Sequence, residues 1–498
     1  MSLQFESLIG SGSYSDVYRA TDDDGSVKAV KVCYKDGEAN GCHCARELDI
    51  TNRCGKQGGA IQIKRITQRS PTIGNRTNEI DHLHFIMDKG REDLSQFIRN
   101  SNSARYWSNL RSIMIELLSC ISFVHHRKII HRDLKPDNVI IFDVEEFPLK
   151  VSAKITDFGI AKLSTCQRPN SPQAVTISHR APEIAMGIPY YGTNSDIWSL
   201  GLMFYNMARR DPTGATYYST NENDLLQRIV HWYPIPSKAR LEELFQGATA
   251  VKWEQISIPK TSPTLKLQVS CKKLFEEHVG DPELFLDLIT HMMDFDWNTR
   301  FSAEDCFRHP FFVEGRQQLS TLRPLLTPFS RVIEYTNYAE RAELKDYIQL
   351  GIESIMGVEG PCSDGNLMTV HILAELAILV DRYYSSPEAT SKKYPFELVL
   401  STLHYLVLKY YNVLTPIPSI DQYFQRTFSD DELQQMNEFE LDFICDICEG
   451  RFYVDTMIDY APRRLSVQEC RDIIFRYLDD ESLKGTTHEQ ALKSILHI

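Results

Sequence analysis

The sequence predicts an α+β body followed by an all-α module. Three observations point there. Residues 1–90 carry short β-rich runs around one helical stretch, and residues 91–312 are mainly helical with turn-rich interruptions. From about Arg331 onward, apolar residues recur at helical spacing. Residues 314–328, with Gly315, Pro324 and Pro328, have the composition of a linker between the two.

Taken in order, the first β-rich run ends in a glycine-rich segment, Gly10-Ser11-Gly12-Ser13-Tyr14-Ser15-Asp16-Val17. Glycines there let the backbone approach phosphate groups without a Cβ clash. Ala29-Val30-Lys31 lies in a second run, and Leu83-His84-Phe85-Ile86-Met87-Asp88-Lys89-Gly90 is a strand that runs into a connection. In the C-terminal module, Val370, Leu373, Leu376, Val380 and Tyr384 mark one helical face. Further helical segments are expected from Phe396 to Tyr411 and from Asp430 to Cys448. Ser466 with Glu469, and Thr486 with Glu489, are spaced as capping boxes opening two short helices.

Composition narrows the function classes. The 498 residues suffice for several domains, and the net charge of −13 argues against non-specific nucleic-acid binding, which runs on cationic surface. The start, Met1-Ser2-Leu3-Gln4-Phe5-Glu6, lacks the pattern of a signal peptide. The most apolar stretch, His371 to Val380, carries Glu375 and stops at Asp381, too short and polar to span a bilayer. Twelve scattered cysteines without a secretory signal fit reduced thiols and an intracellular location, cytoplasmic or nuclear. Cys42-His43-Cys44 with Cys54, and Cys445 with Cys448, lack a second well-spaced ligand pair, so buried thiols are preferred over metal sites.

Three motifs carry the chemistry. His131-Arg132-Asp133-Leu134-Lys135-Pro136-Asp137-Asn138 is followed by Asp157-Phe158-Gly159 and then by Ala181-Pro182-Glu183. In this order they identify the chain as resembling the protein kinases. The resemblance implies a bilobal kinase domain over residues 1–313, with an N-lobe at about 1–88 and a C-lobe at about 91–313. It implies ATP and Mg2+ as cofactors and protein substrates as partners. Asp133 would accept the substrate hydroxyl proton, while Asn138 and Asp157 would hold magnesium. Lys31 would contact the α- and β-phosphates and pair with Glu47, and Lys135 would contact the transferring phosphate. The hydroxyl of Thr176 would bridge Asp133 and Lys135. Ile9, Gly10, Gly12, Val17, Ala29 and Ile140 would enclose the nucleotide. Met87 would be the gatekeeper, with the backbone from Asp88 to Gly90 binding adenine. Asp196 would brace the catalytic loop and Arg300 would pair with Glu183. The third glycine of the family's loop is here Ser15.

The resemblance extends to cyclin-dependent kinases through the glycine-loop sequence, Ala45-Arg46-Glu47, and the run from Ala174 to Glu183. It implies Ser-Pro or Thr-Pro targets, because an arginine matching Arg180 stabilises the backbone that favours a following proline. His179 departs from the family there. Ser171 falls at the activating phosphorylation position, with Arg46, Arg132 and Lys162 at the clamp positions. Activation by the fused module without phosphate is the alternative. Ser13 and Tyr14 match inhibitory phosphorylation positions, or are ordinary loop residues. Asn40-Gly41-Cys42-His43-Cys44 replaces the family's cyclin-docking sequence, so a standard free cyclin is not expected to fit.

Residues 329–460 resemble a cyclin box, on Ala377-Ile378-Leu379-Val380-Asp381-Arg382-Tyr383-Tyr384, on Leu406-Val407-Leu408-Lys409-Tyr410-Tyr411 and on the run from Glu432 to Ile444. Residues 461–498 would be a C-terminal helical tail. Lys409 and Glu440 are the candidates for the pair that touches the kinase, with Glu438 as rival. A linker of about fifteen residues reaches roughly 50 Å when extended, and tethering raises the effective concentration to the millimolar range. The reading is a serine/threonine kinase activated in cis, needing no separate cyclin and no nucleic-acid or membrane partner. The alternatives are a C-terminal module that recruits substrates or partners, and a pseudokinase scaffold. The presence of Lys31, Glu47, Asp133, Asn138 and Asp157 speaks against the last.

Overall fold

The computed structural model describes residues 3–11, 15–33, 47–48, 50–51, 54, 59–68, 72–73, 76–77, 83–144, 150–163, 177–188, 191–211, 219, 221–246, 248–251, 255–312, 341–356, 364–386, 394–411, 420–443, 467–479 and 490. The linker expected at 314–328 and the second capping box at Thr486 lie outside them.

Alternation of apolar and polar residues builds the first sheet. Its strands are β1 (Gln4–Ser11), β2 (Ser15–Thr21), β3 (Val27–Cys33), β4 (Ile63–Gln68) and β7 (Leu83–Asp88), and β5 (Thr72–Ile73) pairs with β6 (Arg76–Thr77) as a separate hairpin. The sheet order is β1-β2-β3-β7-β4 with antiparallel neighbours. The register sets Val17 opposite Lys31, Lys31 opposite Phe85, and Ala29 opposite Met87. Because side chains alternate across a strand, these five share one face. The other face buries Ala20, Val30, Val32 and Ile86 in a small cluster of its own, packed by Leu3, Phe5 and Tyr18.

The second lobe is organised by α2 (Ser103–His126), which follows α1 (Leu94–Asn100). Asn102 caps α2 by accepting from Arg105 N at 2.9 Å. Buried Tyr106, Leu110, Ile113, Leu117, Ile121 and Val124 keep three- and four-residue spacing along it. A small sheet orders β11 (Val151–Ile155), β10 (Val139–Asp143) and β8 (Glu92–Asp93), and β9 (Ile129–Ile130) pairs with β12 (Lys162–Leu163). Then follow α3 (Pro182–Ala185), α4 (Asn194–Ala208), α5 (Glu222–Trp232), α6 (Lys238–Phe245), α7 (Val269–His278), α8 (Pro282–Met292) and α9 (Ala303–Arg308). Helix α4 is buried from Ser195 to Ala208. Its Gly201 allows α8 to approach, since a Cβ there would sit 2.9 Å from Met292 Cβ.

The C-terminal residues are helical, as their periodicity requires. The helices are α10 (Arg341–Met356), α11 (Asp364–Tyr384), α12 (Phe396–Tyr411), α13 (Ile420–Phe424), α14 (Asp430–Asp442) and α15 (Val467–Asp479). Helix α11 packs on α10, α12 and α15, and α12 packs on α14. Ser429 and Glu432 form a capping box at the start of α14, a signal the sequence reading passed over. Helix α15, in the stretch assigned to a tail, is stitched into this group. Buried Arg341 pairs with Asp381, which also accepts from Tyr477 Oη at 2.9 Å, and Arg341 Nε donates to the Leu478 carbonyl at 3.2 Å. No described helix is long and apolar enough to cross a membrane.

Candidate active site

The catalytic loop connects β9 to β10, and α4 holds it from below. Asp196 accepts from His131 N at 2.8 Å and from Arg132 N at 2.9 Å. Those bonds hold Arg132 at φ +70°, a left-handed conformation unfavourable for a bulky residue. His125, at the end of α2, contacts the same carboxylate at 2.9 Å. Burial pushes the Asp196 carboxyl up, but the His125 hydrogen bond and the His125 and His131 rings outweigh it and hold it low. Asp196 was expected as a brace. His125 was not, because no motif marks it and only the packing of α2 on α4 brings it there.

Within the loop, Asp133 is 8% exposed. Its carboxylate accepts from Lys135 Nζ at 2.7 Å and from Asn138 Nδ2 at 2.9 Å. Asn138 Nδ2 also donates to the Asp133 backbone carbonyl at 2.8 Å. Both amide protons are thereby directed at Asp133, which leaves Asn138 Oδ1 as a neutral oxygen donor.

The other half of the site is on β3 and the segment after β11. Lys31 Nζ lies 2.5 Å from Glu47 Oε2 and 3.2 Å from Asp157 Oδ1. Glu47 is buried, and burial pushes its carboxyl up against the pull of Lys31. The Lys31 ammonium holds the Asp157 carboxyl below its ordinary range. Asp157 has φ +64°, and next to it Phe158 is fully buried, its ring 4.7 Å from that of His131. An ionised Asp157 oxygen and the amide oxygen of Asn138 are hard donors of the kind that bind Mg2+ together with substrate phosphates. Among the described residues no group of three or more His, Cys, Asp or Glu side chains could hold a metal by itself. Cys42, His43, Cys44, Cys445 and Cys448 are outside the described residues.

The nucleotide candidates Val17, Ala29, Lys31 and Met87 share the sheet face described above, and Gly10 pairs with Val17. Ile9 is exposed on β1. Gly90 abuts Ile140, since a Cβ there would sit 2.2 Å from Ile140 Cγ2. Asp88 is tied to Lys28 at 3.3 Å and to Lys64 at 2.6 Å, two contacts that no motif announces. Gly12, Ser13, Tyr14, Arg46, Ser171 and Thr176 lie outside the described residues. Lys162 is on β12, paired with Ile130. Arg132 Nε donates to the Ile160 carbonyl at 2.6 Å. Lys409 is in α12, and Glu440, half-buried, is in α14 with Glu438 exposed beside it. The expected brace between Arg300 and Glu183 is present and buried, at 2.7 and 2.9 Å.

The Protein kinase domain family matches residues 3–312. The chain belongs to the protein kinase family. Two curated relatives sharpen the assignment of this kinase. Serine/threonine-protein kinase ppk23 of Schizosaccharomyces pombe is 26% identical over 311 residues, 62% of this chain and 71% of the relative. Cyclin-dependent kinase 7 of Dictyostelium discoideum is 29% identical over 319 residues, 62% of this chain and 79% of the relative. The kinase is therefore a serine/threonine protein kinase, with ATP as its phosphoryl donor. A chain from the structure of the CAK complex of Chaetomium thermophilum bound to ATP-gamma-S shares the fold. Its TM-score is 0.50 at 20% identity, covering 62% of this kinase and 90% of that chain.

Proposed function

We propose that this kinase is of the cyclin-dependent type, transfers phosphate to Ser-Pro and Thr-Pro sites, and is switched on by its own C-terminal helices. The observation that carries the reading is the Lys31–Glu47 contact at 2.5 Å. Kinases of this type need that pair in place to position ATP phosphates.

The buried apolar cluster that includes Leu48, Ile50 and Cys54 runs through the second lobe and also takes in Leu344, Leu373, Val399 and Phe439 of the C-terminal helices, which is compatible with an activator in cis. Similarity to cyclin-dependent kinase 7 of Dictyostelium discoideum supports the kinase type. The helices of residues 341–479 are then a cyclin-like domain, with Lys409 and Glu440 as its contact pair.

In the reaction, bound Mg2+ would neutralise phosphate charge, held by Asp157 and Asn138 Oδ1. Lys31 would position the non-transferring phosphates. Asp133 would accept the hydroxyl proton of the substrate, and Lys135 would steady the group in transfer. Asn138 keeps the Asp133 carboxylate aimed by hydrogen-bonding to both its side chain and its backbone.

The test is phosphotransfer by the purified full-length chain, with no second protein, to a matched Ser-Pro and Ser-Ala peptide pair. The proposal expects turnover and a preference for the Ser-Pro peptide. No turnover until a separate cyclin is added would remove the cis part of the reading. Turnover without proline preference would remove the substrate part.

A further inference from the structure

Residues 256–268 cross the second lobe between α6 and α7 without forming a helix or a strand. Two side chains peg this run to the helices beneath it. Gln227 of α5 accepts from Ser257 N and donates to the Ser257 carbonyl, each at 2.9 Å. Tyr205 Oη of α4 donates to the Lys266 carbonyl at 2.9 Å. Leu265 and Leu267 are buried beside that second peg. Among the described residues, no backbone group from Ile258 to Leu265 bonds another backbone group. Between the pegs, the Ser262 hydroxyl ties the run to the chain ahead of α6. It accepts from Ile235 N at 2.9 Å and donates to the Ile235 carbonyl at 3.4 Å.

Such a run suits a phosphoacceptor. In transfer, the accepting hydroxyl has to enter a kinase cleft and line up with the γ-phosphate. A helix or a sheet strand must unfold to do so, whereas a run with no backbone ladder opens locally at low cost. Here one hydroxyl tie is released, and water replaces the lost partner, so the net loss is small. Thr261, Ser262 and Thr264 are exposed and Pro263 is half-buried. Ser262-Pro263 is also the one Ser-Pro or Thr-Pro pair with both members among the described residues. Lys260 and Lys266, both exposed, flank it and would give a phosphate counter-charge.

We propose that Ser262 is a phosphorylation site of this kinase, modified by a second copy of the same chain. The inference rests on the proline-directed reading above and names one substrate for it. Both pegs are rooted in the lobe that carries Asp133, so the run travels with its own catalytic loop rather than into it. A second copy has no such restraint. Asp133 of the acting copy takes the Ser262 hydroxyl proton. The bond from Oγ to the γ-phosphorus forms as the bond from that phosphorus to the β–γ bridging oxygen breaks, and ADP leaves. Thr261 and Thr264 offer hydroxyls in the same run that no proline follows, and Ser270 is exposed but belongs to α7. These three are internal controls.

The experiment mixes two full-length chains with ATP and Mg2+. One is active. The other is isotopically labelled and carries Asp133→Asn, so that it accepts phosphate without transferring it. Mass spectrometry reads the peptide containing Ser262. The expected result is phosphate on Ser262 of the labelled chain, absent when the active chain is left out, with Thr261, Thr264 and Ser270 unmodified. Pro263→Ala in the labelled chain removes most of that signal. Ser262→Ala in the active chain leaves its turnover of the Ser-Pro peptide unchanged. A labelled chain without phosphate on Ser262, in a mixture that still turns over the Ser-Pro peptide, overturns the proposal and leaves proline direction standing. Phosphate spread equally over Ser262 and the three controls, or undiminished by Pro263→Ala, overturns it as well, because the run would then be merely exposed. A full-length chain that turns over neither the Ser-Pro nor the Ser-Ala peptide, or both alike, overturns the reading it rests on and this proposal together.

Discussion

Lys31 and Glu47 are joined across the first lobe at 2.5 Å, although one is on β3 and the other on the only helix sequence reading placed among the strands. Lys31 also reaches Asp157 at 3.2 Å. One ammonium thus ties the sheet, the helix and the segment after β11 into a single geometry. Shifting the helix outward would leave Glu47 buried without its counter-charge, which is costly.

The chemistry prediction follows from Asp133 and Lys31 doing separate jobs. Asp133→Asn removes the proton acceptor and should lower kcat by about 10²–10⁴-fold. Lys31→Met should lower activity to a similar extent by losing phosphate positioning. Steady-state phosphotransfer checks both; the melting curve of Asp133→Asn should stay close to that of the parent, whereas Lys31→Met, which leaves Glu47 buried without its counter-charge, should melt lower. Substantial turnover by either variant would show that the active-site assignment is wrong.

The brace between Arg300 and Glu183 predicts a stability effect. Both side chains are essentially unexposed. Removing one leaves an uncompensated buried charge, at a cost of about 3–5 kcal/mol. Arg300→Leu and Glu183→Leu should each lower the denaturation midpoint strongly. The double variant should be less destabilised than the sum of the two, as a double-mutant cycle in urea would reveal. Additive losses would mean the pair is not a coupled unit.

The C-terminal helices predict an acid-sensitive core. His404 bridges Tyr347 Oη at 2.7 Å and Tyr423 Oη at 2.9 Å. Burial pushes its imidazole down to about 4, from 6.5. The folded state resists protonation that the unfolded chain accepts. This contribution to stability is complete above about pH 6.5 and is lost as pH falls toward about 4, by an amount on the order of 3 kcal/mol. In His404→Gln that loss should vanish, so the stability gap between parent and variant should narrow over the same interval. A gap that is constant from pH 7 to 4 would contradict the assignment.

Much of the site was legible because kinase chemistry is written in contiguous motifs. Asp133, Asn138, Asp157, Lys31 and Glu47 each sit in a short pattern, and the fold brings them together. The β/α partition and helices α11 and α12 were legible from periodicity. His125 on Asp196, Lys64 on Asp88 and Glu222 on Arg180 were not. Each is an ordinary polar residue at a helix end or strand edge, and its partner is supplied by tertiary packing, 71, 24 and 42 positions away in turn. The same applies to α15. Its Tyr477 and the Leu478 carbonyl complete a buried network with Arg341 and Asp381 that local pattern cannot foresee.

The contact pair assigned to the C-terminal domain gives a charge prediction. Reversal at Lys409 or at Glu440 should weaken activation, and combining the two reversals should restore part of it, read as phosphotransfer rate at fixed ATP. Reversal without effect at both positions would exclude this pair as the contact.

If the C-terminal helices activate the kinase to which they are joined, removing them silences it. The most direct measurement compares phosphotransfer rates of the full chain and of residues 1–316 under the same conditions. The expected result is an active full chain, a truncated chain that has lost most activity, and partial recovery when residues 326–498 are added in trans. Full activity of residues 1–316 alone would contradict it, and would make the C-terminal helices a recruiting module instead.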